Sequence, residues 1–148
     1  MRLLTVAVIC VVAALGQEIP VNYPTAHGHR FIRMSLDNFQ EHVFEVTVHG
    51  AAVKMKGIRL GQFLRAAGWA GQARSEGESY QVRIEGRGRA ATFDLSQVER
   101  GSLNKLVIFV RERDGKRIRW EDRPLLVVTD GEGAVIETVA GVISVRVF

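Results

Sequence analysis

A short amphipathic helix in the first half of the chain constrains the fold more than any other feature. Leu60, Phe63, Leu64 and Ala67 are spaced three or four residues apart, so they share one stripe of a helix. Gly68 follows the stripe, and glycine readily adopts the left-handed conformation that ends many helices. An apolar stripe must pack against other elements, so we expect neighbouring segments to supply an apolar surface.

The segments around this helix have the pattern of strands. Residues 42–49 and 53–56 alternate between apolar and polar side chains, as half-buried strands do. Residues 80–93 alternate in the same way around Gly86-Arg87-Gly88, which predicts a hairpin. The run 106–110 is continuously apolar, which predicts a central strand covered on both faces.

The rest of the chain adds more strands and a few capped helical turns. Asp114-Gly115 predicts a tight turn that folds residues 117–120 back as a partner strand. Further strands are predicted at 125–128 and 142–147, and short helices at 35–39 and from Asp94 to Gln97. The sequence therefore predicts an α+β fold with β-rich mixed sheets and two or three short helices.

The N-terminal residues have the composition of a cleavable signal peptide. Arg2 precedes an apolar run over residues 3–15, and small side chains favour cleavage after Gly16, with a cut after Ala14 nearly as good. The run is shorter than the roughly 20 residues with which a helix crosses a bilayer, so we expect no transmembrane span in the mature chain. We expect a periplasmic or secreted protein with a signal peptide at 1–16, an irregular lead-in at 17–34 and one domain at 35–148.

Charge and cysteine content exclude several function classes. The net charge of +4 mixes basic and acidic residues, so we expect no binding to nucleic acid. The only cysteine, Cys10, lies in the apolar prefix, and cleavage would leave no thiol for a disulfide, a nucleophile or a metal.

Six segments of the chain match the pattern of a known family. They are Lys56-Gly57-Ile58-Arg59-Leu60, Phe63-Leu64-Arg65-Ala66-Ala67-Gly68, Phe93-Asp94-Leu95, Asp114-Gly115-Lys116, Pro124-Leu125-Leu126-Val127-Val128 and Val142-Ile143-Ser144-Val145-Arg146-Val147. In this order they resemble the oxidoreductase molybdopterin-binding domain family, which has the fold of sulfite oxidase, and the resemblance covers the chain from about residue 35 to the C-terminus. The resemblance implies layered sheets with a β-grasp-like motif, and it makes molybdopterin a possible cofactor.

The chain departs from this family where the chemistry would lie. Enzymes of the family bind molybdenum through a cysteine thiolate, which the mature chain lacks. Leu126 stands where an arginine is common, and Glu137 lies in a region where a basic residue commonly meets an anion. We therefore expect a non-catalytic module without a cofactor that binds a small anion or an envelope partner protein. The alternative is a molybdenum-pterin-dependent oxidoreductase or an electron-transfer accessory.

Two sets of side chains are candidate ligand sites, each with a simpler alternative. His27, His29 and His49 are candidate metal ligands, or else exposed loop and strand histidines. Arg87 and Arg89 lie in a glycine turn, where guanidinium groups and free backbone N–H groups can bind an anion. The alternative is a hairpin turn whose arginines keep it soluble.

The predicted hairpin at residues 111–120 is a third candidate surface. Its alternating basic residues suit anionic lipid or a polyanion, with Trp120 as an interfacial side chain. Acidic residues between them favour the alternative, an edge hairpin that its charges protect from aggregation.

Overall fold

The computed structural model describes residues 17–69, 80–96 and 106–148. The elements described in full are eleven strands, one α-helix and one 3-10 helix. The strands are β1 Glu18–Thr25, β2 Gly28–Ser35, β3 His42–Val48, β4 Ala51–Arg59, β5 Gln81–Glu85, β6 Ala90–Asp94, β7 Val107–Arg113, β8 Lys116–Arg117, β9 Leu125–Thr129, β10 Val135–Val139 and β11 Ser144–Val147. The α-helix, α1, is Leu60–Ala66, and the 3-10 helix is Trp120–Asp122. The predicted signal peptide and Gln97 lie outside the described residues.

The strands form two sheets. Sheet 1 has the order β2-β1-β11-β5-β6, in which β1 and β11 are parallel and the other neighbours antiparallel. Sheet 2 has the order β10-β9-β7-β4-β3, and all of these neighbours are antiparallel. The short strand β8 pairs with β7. The fold is therefore β-rich, with two sheets and one α-helix among the elements described in full.

Sheet 2 closes on itself as a small barrel. Its outer strands, β3 and β10, approach each other where Thr47 forms a parallel bridge with Ala134. The N–H of Thr47 donates a hydrogen bond of 2.9 Å to the carbonyl of Gly133. All five strands of the closed sheet contribute apolar side chains to one interior cluster, which we call the barrel core. It contains Phe44, Val46, Val53, Met55, Ile108, Val110, Ile118 and Val127, with Val48, Leu106, Leu125 and Val135 packed against them.

The main core lies between sheet 1, α1 and the outer wall of the barrel. Strand β7 takes part in both cores, since Ile108 faces the barrel interior and Phe109 faces sheet 1. Both side chains are fully buried, as predicted for a central strand covered on both faces. The prediction for the apolar run 106–110 is thus confirmed.

Helix α1 has the predicted buried stripe and the predicted end. Leu60, Phe63, Leu64 and Ala67 are all buried in the main core. Gly68 has a φ of +102° and its N–H donates to the carbonyl of Arg65 at 3.0 Å, so the left-handed residue ends the helix. The prediction from spacing alone is confirmed.

The prediction of an irregular lead-in at 17–34 was wrong. Strands β1 and β2 form a hairpin there, and β1 also pairs with β11. Ile19, Val21 and Tyr23 alternate into the main core, a pattern that Pro20 and Pro24 obscured. Only Val21 and Asn22 of β1 are in register with β11, so neither proline interrupts that pairing.

The predicted helix at 35–39 was also wrong. Ser35 does accept a hydrogen bond from the N–H of Asp37 at 3.2 Å, but the segment forms a turn. Arg111 holds that turn from β7, because its guanidinium donates to the carbonyl of Leu36 at 2.8 Å and to Asp37 at 2.7 Å. It also lies 3.4 Å from a carboxylate oxygen of Glu41.

Four further predictions are confirmed. The strands predicted at 42–49 and 53–56 are β3 and β4, the hairpin predicted at 80–93 is β5 with β6, and the strand predicted at 125–128 is β9. The predicted strand at 142–147 begins two residues later, as β11. Strand β10 was missed because a bulge between Val135 and Glu137 interrupts its alternation.

No helix among the described residues is long and apolar enough to cross a membrane.

Candidate functional site

An open cleft of about 460 Å³ lies where the ends of the two sheets meet, and it contains three arginines. Arg33 comes from β2, Arg87 from the β5–β6 turn, and Arg123 from the segment between the 3-10 helix and β9. Trp120 and Ile143 add exposed apolar surface at the same place. We call this feature the arginine cleft.

Backbone hydrogen bonds hold the segments of the cleft together. The N–H of Arg87 donates to the carbonyl of Ala140 at 3.2 Å, and the N–H of Ile143 donates to the carbonyl of Glu85 at 2.8 Å. The N–H of Gly141 donates to the carbonyl of Asp122 at 3.1 Å. The β5–β6 turn, the β10–β11 loop and the 3-10 helix therefore form one connected wall.

Glycine at two positions allows the close approach of this turn and loop. A Cβ at Gly86 would meet the carbonyl oxygen of Ala140 at 2.5 Å. A Cβ at Gly141 would collide with the guanidinium of Arg87, whose Cζ and Nη2 would lie 3.0 Å away. Arg87 thus lies directly over the bare Cα of Gly141, and any side chain at 141 would displace it.

Arg123 is the most firmly held of the three arginines. Its Nε donates a hydrogen bond of 2.7 Å to the carbonyl of Ile118, and the side chain is half-buried. Its Cζ lies 5.5 Å from the ring centroid of Trp120, in cation–π geometry. Trp120 is 64% exposed, so much of the indole remains open to solvent beside a fixed positive charge.

The charge of the cleft is positive and not neutralised by ion pairs. Arg33 and Arg87 are exposed, and within the described part of the chain no ion pair involves either of them or Arg123. Glu18 is the acidic residue among the cleft's lining residues. Three guanidinium groups against one carboxylate leave an excess of two positive charges for a bound anion.

Glu121 interacts electrostatically with Arg87 of the arginine cleft. A backbone hydrogen bond lowers the pKa of its carboxyl group most, followed by the charge of Arg119, and Arg87 contributes a smaller effect. Arg119 donates to Glu121 at 3.2 Å. Glu121 therefore stays ionised at neutral pH, and its charge acts weakly on Arg87.

Arg89, the second predicted anion ligand, points elsewhere. Its Nη1 donates a hydrogen bond of 3.3 Å to the carbonyl of Thr138, and it does not line the arginine cleft. The structure therefore brings Arg87, but not Arg89, together with Arg33 and Arg123. Neighbours in a turn project in different directions, so proximity in sequence did not imply a shared site.

The three candidate metal ligands belong to hairpins in two different sheets. His27 is in the β1–β2 turn and His29 follows it in β2, whereas His49 is in the β3–β4 turn. All three are exposed. Across residues 17–69, 80–96 and 106–148, no group of three or more histidine, cysteine, aspartate or glutamate side chains could hold a metal ion. The three-histidine hypothesis gains no support from these positions.

The predicted hairpin at 111–120 forms only in its first half. Asp114 and Gly115 make the turn with φ values of 48° and 80°, and β8 covers just Lys116 and Arg117. The chain then continues into the 3-10 helix at Trp120, which takes that indole to the arginine cleft.

Sequence reasoning missed Arg33 and Arg123 as partners of Arg87. Arg33 was hidden in the segment interpreted as irregular, and no local motif marks it. Arg123 precedes Pro124 at a motif already noted in the family resemblance, which was the available signal. Their convergence depends on the pairing of β1 with β11, which brings β2 to the same end of the molecule as the β10–β11 loop.

In comparisons with known proteins, no family model matches the chain and no curated protein is significantly similar to it. The resemblance to the molybdopterin-binding domain family therefore stays a prediction from sequence.

Proposed function

We propose that this protein is a binding module for a small organic anion, held in the arginine cleft. The observation that carries the proposal is the convergence of Arg33, Arg87 and Arg123 on one cleft without an ion pair among the described residues. Guanidinium groups bind phosphate, sulfate and carboxylate oxygens through paired charge-assisted hydrogen bonds.

The volume and the indole favour an anion that carries an organic group. The cleft measures about 460 Å³, within the roughly 300–1,000 Å³ typical of small-molecule sites. An inorganic oxyanion would leave the exposed face of Trp120 and the side chain of Ile143 uncovered. A planar group attached to the anion would stack on the indole while the arginines hold its charged end.

The test compares phenyl phosphate with inorganic phosphate by isothermal titration calorimetry at low ionic strength. Phenyl phosphate should bind more tightly, because only its ring can use Trp120. Replacing Arg87 by Gln should weaken phenyl phosphate binding by about tenfold or more, the effect of losing a hydrogen bond between charged groups.

Arg89→Gln is the matched control. It removes the same charge from the same turn, but the Arg89 side chain donates to Thr138 and does not line the cleft. Equal loss of affinity in Arg87→Gln and Arg89→Gln would mean that only net charge matters, and the proposed site would be wrong. Absence of any binding by the unmodified protein would remove the proposal altogether.

The sulfite oxidase-like fold and its cofactor are a separate hypothesis. The arginines suit the phosphate of a molybdopterin, but residues 17–148 contain no cysteine thiolate for molybdenum. The residues therefore do not fit a molybdenum centre of the kind found in that family. Elemental analysis of the purified protein tests this, and stoichiometric molybdenum would restore the oxidoreductase hypothesis.

The proposal includes export of the protein by a cleavable signal peptide. The apolar prefix at 1–16 has the features of a signal peptide, which would deliver the module to the periplasm or the exterior. N-terminal sequencing of protein recovered from the cell envelope should begin at Gln17. Recovery of protein that retains Met1 from the cytoplasm would contradict this assignment.

A further inference from the structure

A second cavity, of about 470 Å³, lies at one end of the barrel and is separate from the arginine cleft. It lies between the β7–β8 hairpin on one side and Val48, Val135 and Thr138 on the other. Among the described residues, the two cavities share no lining residue. We call this second cavity the barrel mouth.

The wall of the barrel mouth is apolar. Met55, Val127 and Ile118 line it and belong to the buried barrel core. Val48 and Leu125 line it as well and pack on the same core while only half-buried. A ligand in this cavity would therefore extend the barrel core outward and remove apolar surface from water.

The rim of the barrel mouth is cationic. Arg113, Lys116, Arg117 and Arg119 line it. Arg119 is paired with Glu121 at 3.2 Å, but no ion pair among the described residues involves the other three. All three are exposed on or beside the β7–β8 hairpin.

The two acidic residues at the rim do not cancel this charge. Asp114 is engaged with the backbone of β4, because its Oδ1 accepts a hydrogen bond of 2.9 Å from the N–H of Lys54. Asp122 also lines the cavity. Because Arg119 is already paired with Glu121, three basic side chains against two carboxylates leave one net positive charge at the rim, around an apolar wall.

We infer that the barrel mouth binds the anionic end and the alkyl chain of a single-chain amphiphile, such as a free medium-chain fatty acid. The carboxylate would lie among Arg113, Lys116 and Arg117, and the chain would lie against Val48 and Val135. A polyanion would leave the apolar wall in contact with water, and a neutral hydrocarbon would leave the cationic rim without a partner. Only a ligand with both parts complements the whole cavity.

The first experiment titrates the protein with decanoate, 1-decanol and acetate, each below its aggregation concentration, and follows amide chemical shifts by NMR. Decanoate should shift the amides of residues 113–119 and 135–138, with weaker effects from decanol and none from acetate. Affinity should rise from hexanoate to octanoate to decanoate by up to about fourfold per buried methylene.

Two variants and their controls localise the site. Thr138→Trp places an indole in the cavity from an exposed position and should abolish decanoate binding, whereas Thr92→Trp, on an exposed position of β6, should not. If Thr138→Trp fails to fold, the double variant Lys116→Gln with Arg117→Gln should still lose about tenfold in decanoate affinity and little in decanol affinity. The double variant Arg30→Gln with Arg65→Gln removes the same charge away from both cavities and should bind as the unmodified protein does.

Three outcomes would overturn the inference. Equal binding of decanoate and decanol would show that the rim has no role. Shifts confined to residues 87, 120, 123 and 141 would place the ligand in the arginine cleft. Binding to vesicles of anionic phospholipid with no response to free decanoate would mean that the hairpin recognises a membrane surface instead. The inference does not depend on the function proposed for the arginine cleft.

Discussion

Replacing Gly141 by Ala tests how the arginine cleft is built. Gly141 is buried and has a φ of +60°, and an added Cβ would collide with Nε, Cζ and Nη2 of Arg87. The obstructing atoms are the far end of a flexible side chain, so Arg87 should move and the backbone should stay. The variant should fold but lose the arginine from the cleft.

Two separate magnitudes follow from that geometry. An alanine in the left-handed region costs about 1–2 kcal/mol of folding stability. Loss of one hydrogen bond to a charged group costs about 1.5–3 kcal/mol of binding free energy, which corresponds to roughly a tenfold to hundredfold weaker affinity. Calorimetric titration with phenyl phosphate measures the second quantity, and urea denaturation measures the first.

Gly50→Ala separates these two effects. Gly50 has a φ of +80° in the β3–β4 turn, and a Cβ there would meet no atom of the described residues within 4 Å. It should lose as much stability as Gly141→Ala and retain its full affinity for phenyl phosphate. If both variants bind equally well, Arg87 is not the group that holds the anion, and the reasoning fails.

Three further outcomes are expected. Tyr23→Phe removes a buried hydrogen bond of 2.9 Å to the carbonyl of Ala67, and it should cost about 0.5–1.5 kcal/mol in urea denaturation; unchanged stability would contradict this. Gly57→Ala puts a Cβ against the backbone carbonyl of Phe109 across the β4–β7 pair. The variant should lose about 1–3 kcal/mol or more of folding free energy in urea denaturation. A variant as stable as the unmodified protein would show that the strands can separate there. The pKa of Glu121 is lowered in the folded state, so its ionised form favours folding and this small effect disappears as the pH falls through that pKa. Glu121→Gln removes a negative charge that acts on Arg87, so sulfate should bind more tightly to this variant than to the unmodified protein at pH 7. The difference in affinity should shrink as the pH falls below 4.5, because Glu121 of the unmodified protein then becomes neutral. A difference that does not depend on pH would contradict this effect of Glu121 on Arg87.

The local elements of the fold could be predicted where one face alone is buried. The spacing of Leu60, Phe63, Leu64 and Ala67 reports a helix, because the stripe that packs is also the stripe that is apolar. The hairpin that contains β5 and β6 was predicted for the same reason, with a period of two.

Prediction of strand β1 failed because its two prolines, which are rare inside sheets, lie at positions where they do not interrupt the pairing with β11. Pro20 and Pro24 are strong strand breakers in general, but each lies outside the two-residue register that joins β1 to β11. The buried alternation of Ile19, Val21 and Tyr23 was present in the sequence and outweighed them. The closure of sheet 2 through Thr47 and Ala134 has no local sequence signal, because it depends on the curvature of the whole sheet.

The site was predictable only in part. Arg87 was selected because glycines flank it, and it does lie in the cleft. Arg33 and Arg123 reach the same cleft from segments about 50 and 35 residues away in sequence, and only the strand order brings them together. Arg89 was selected on the same grounds as Arg87 but donates to a backbone carbonyl instead.

The most direct test of the arginine cleft is a ¹⁵N-resolved NMR titration of the unmodified protein with phenyl phosphate. We expect saturable shifts at the amides of Arg87, Gly141 and Arg123 and at the indole N–H of Trp120, with little change at the buried indole of Trp69. Shifts elsewhere on the protein, or none at saturating phosphate ester, would contradict the claim that these arginines form one anion site.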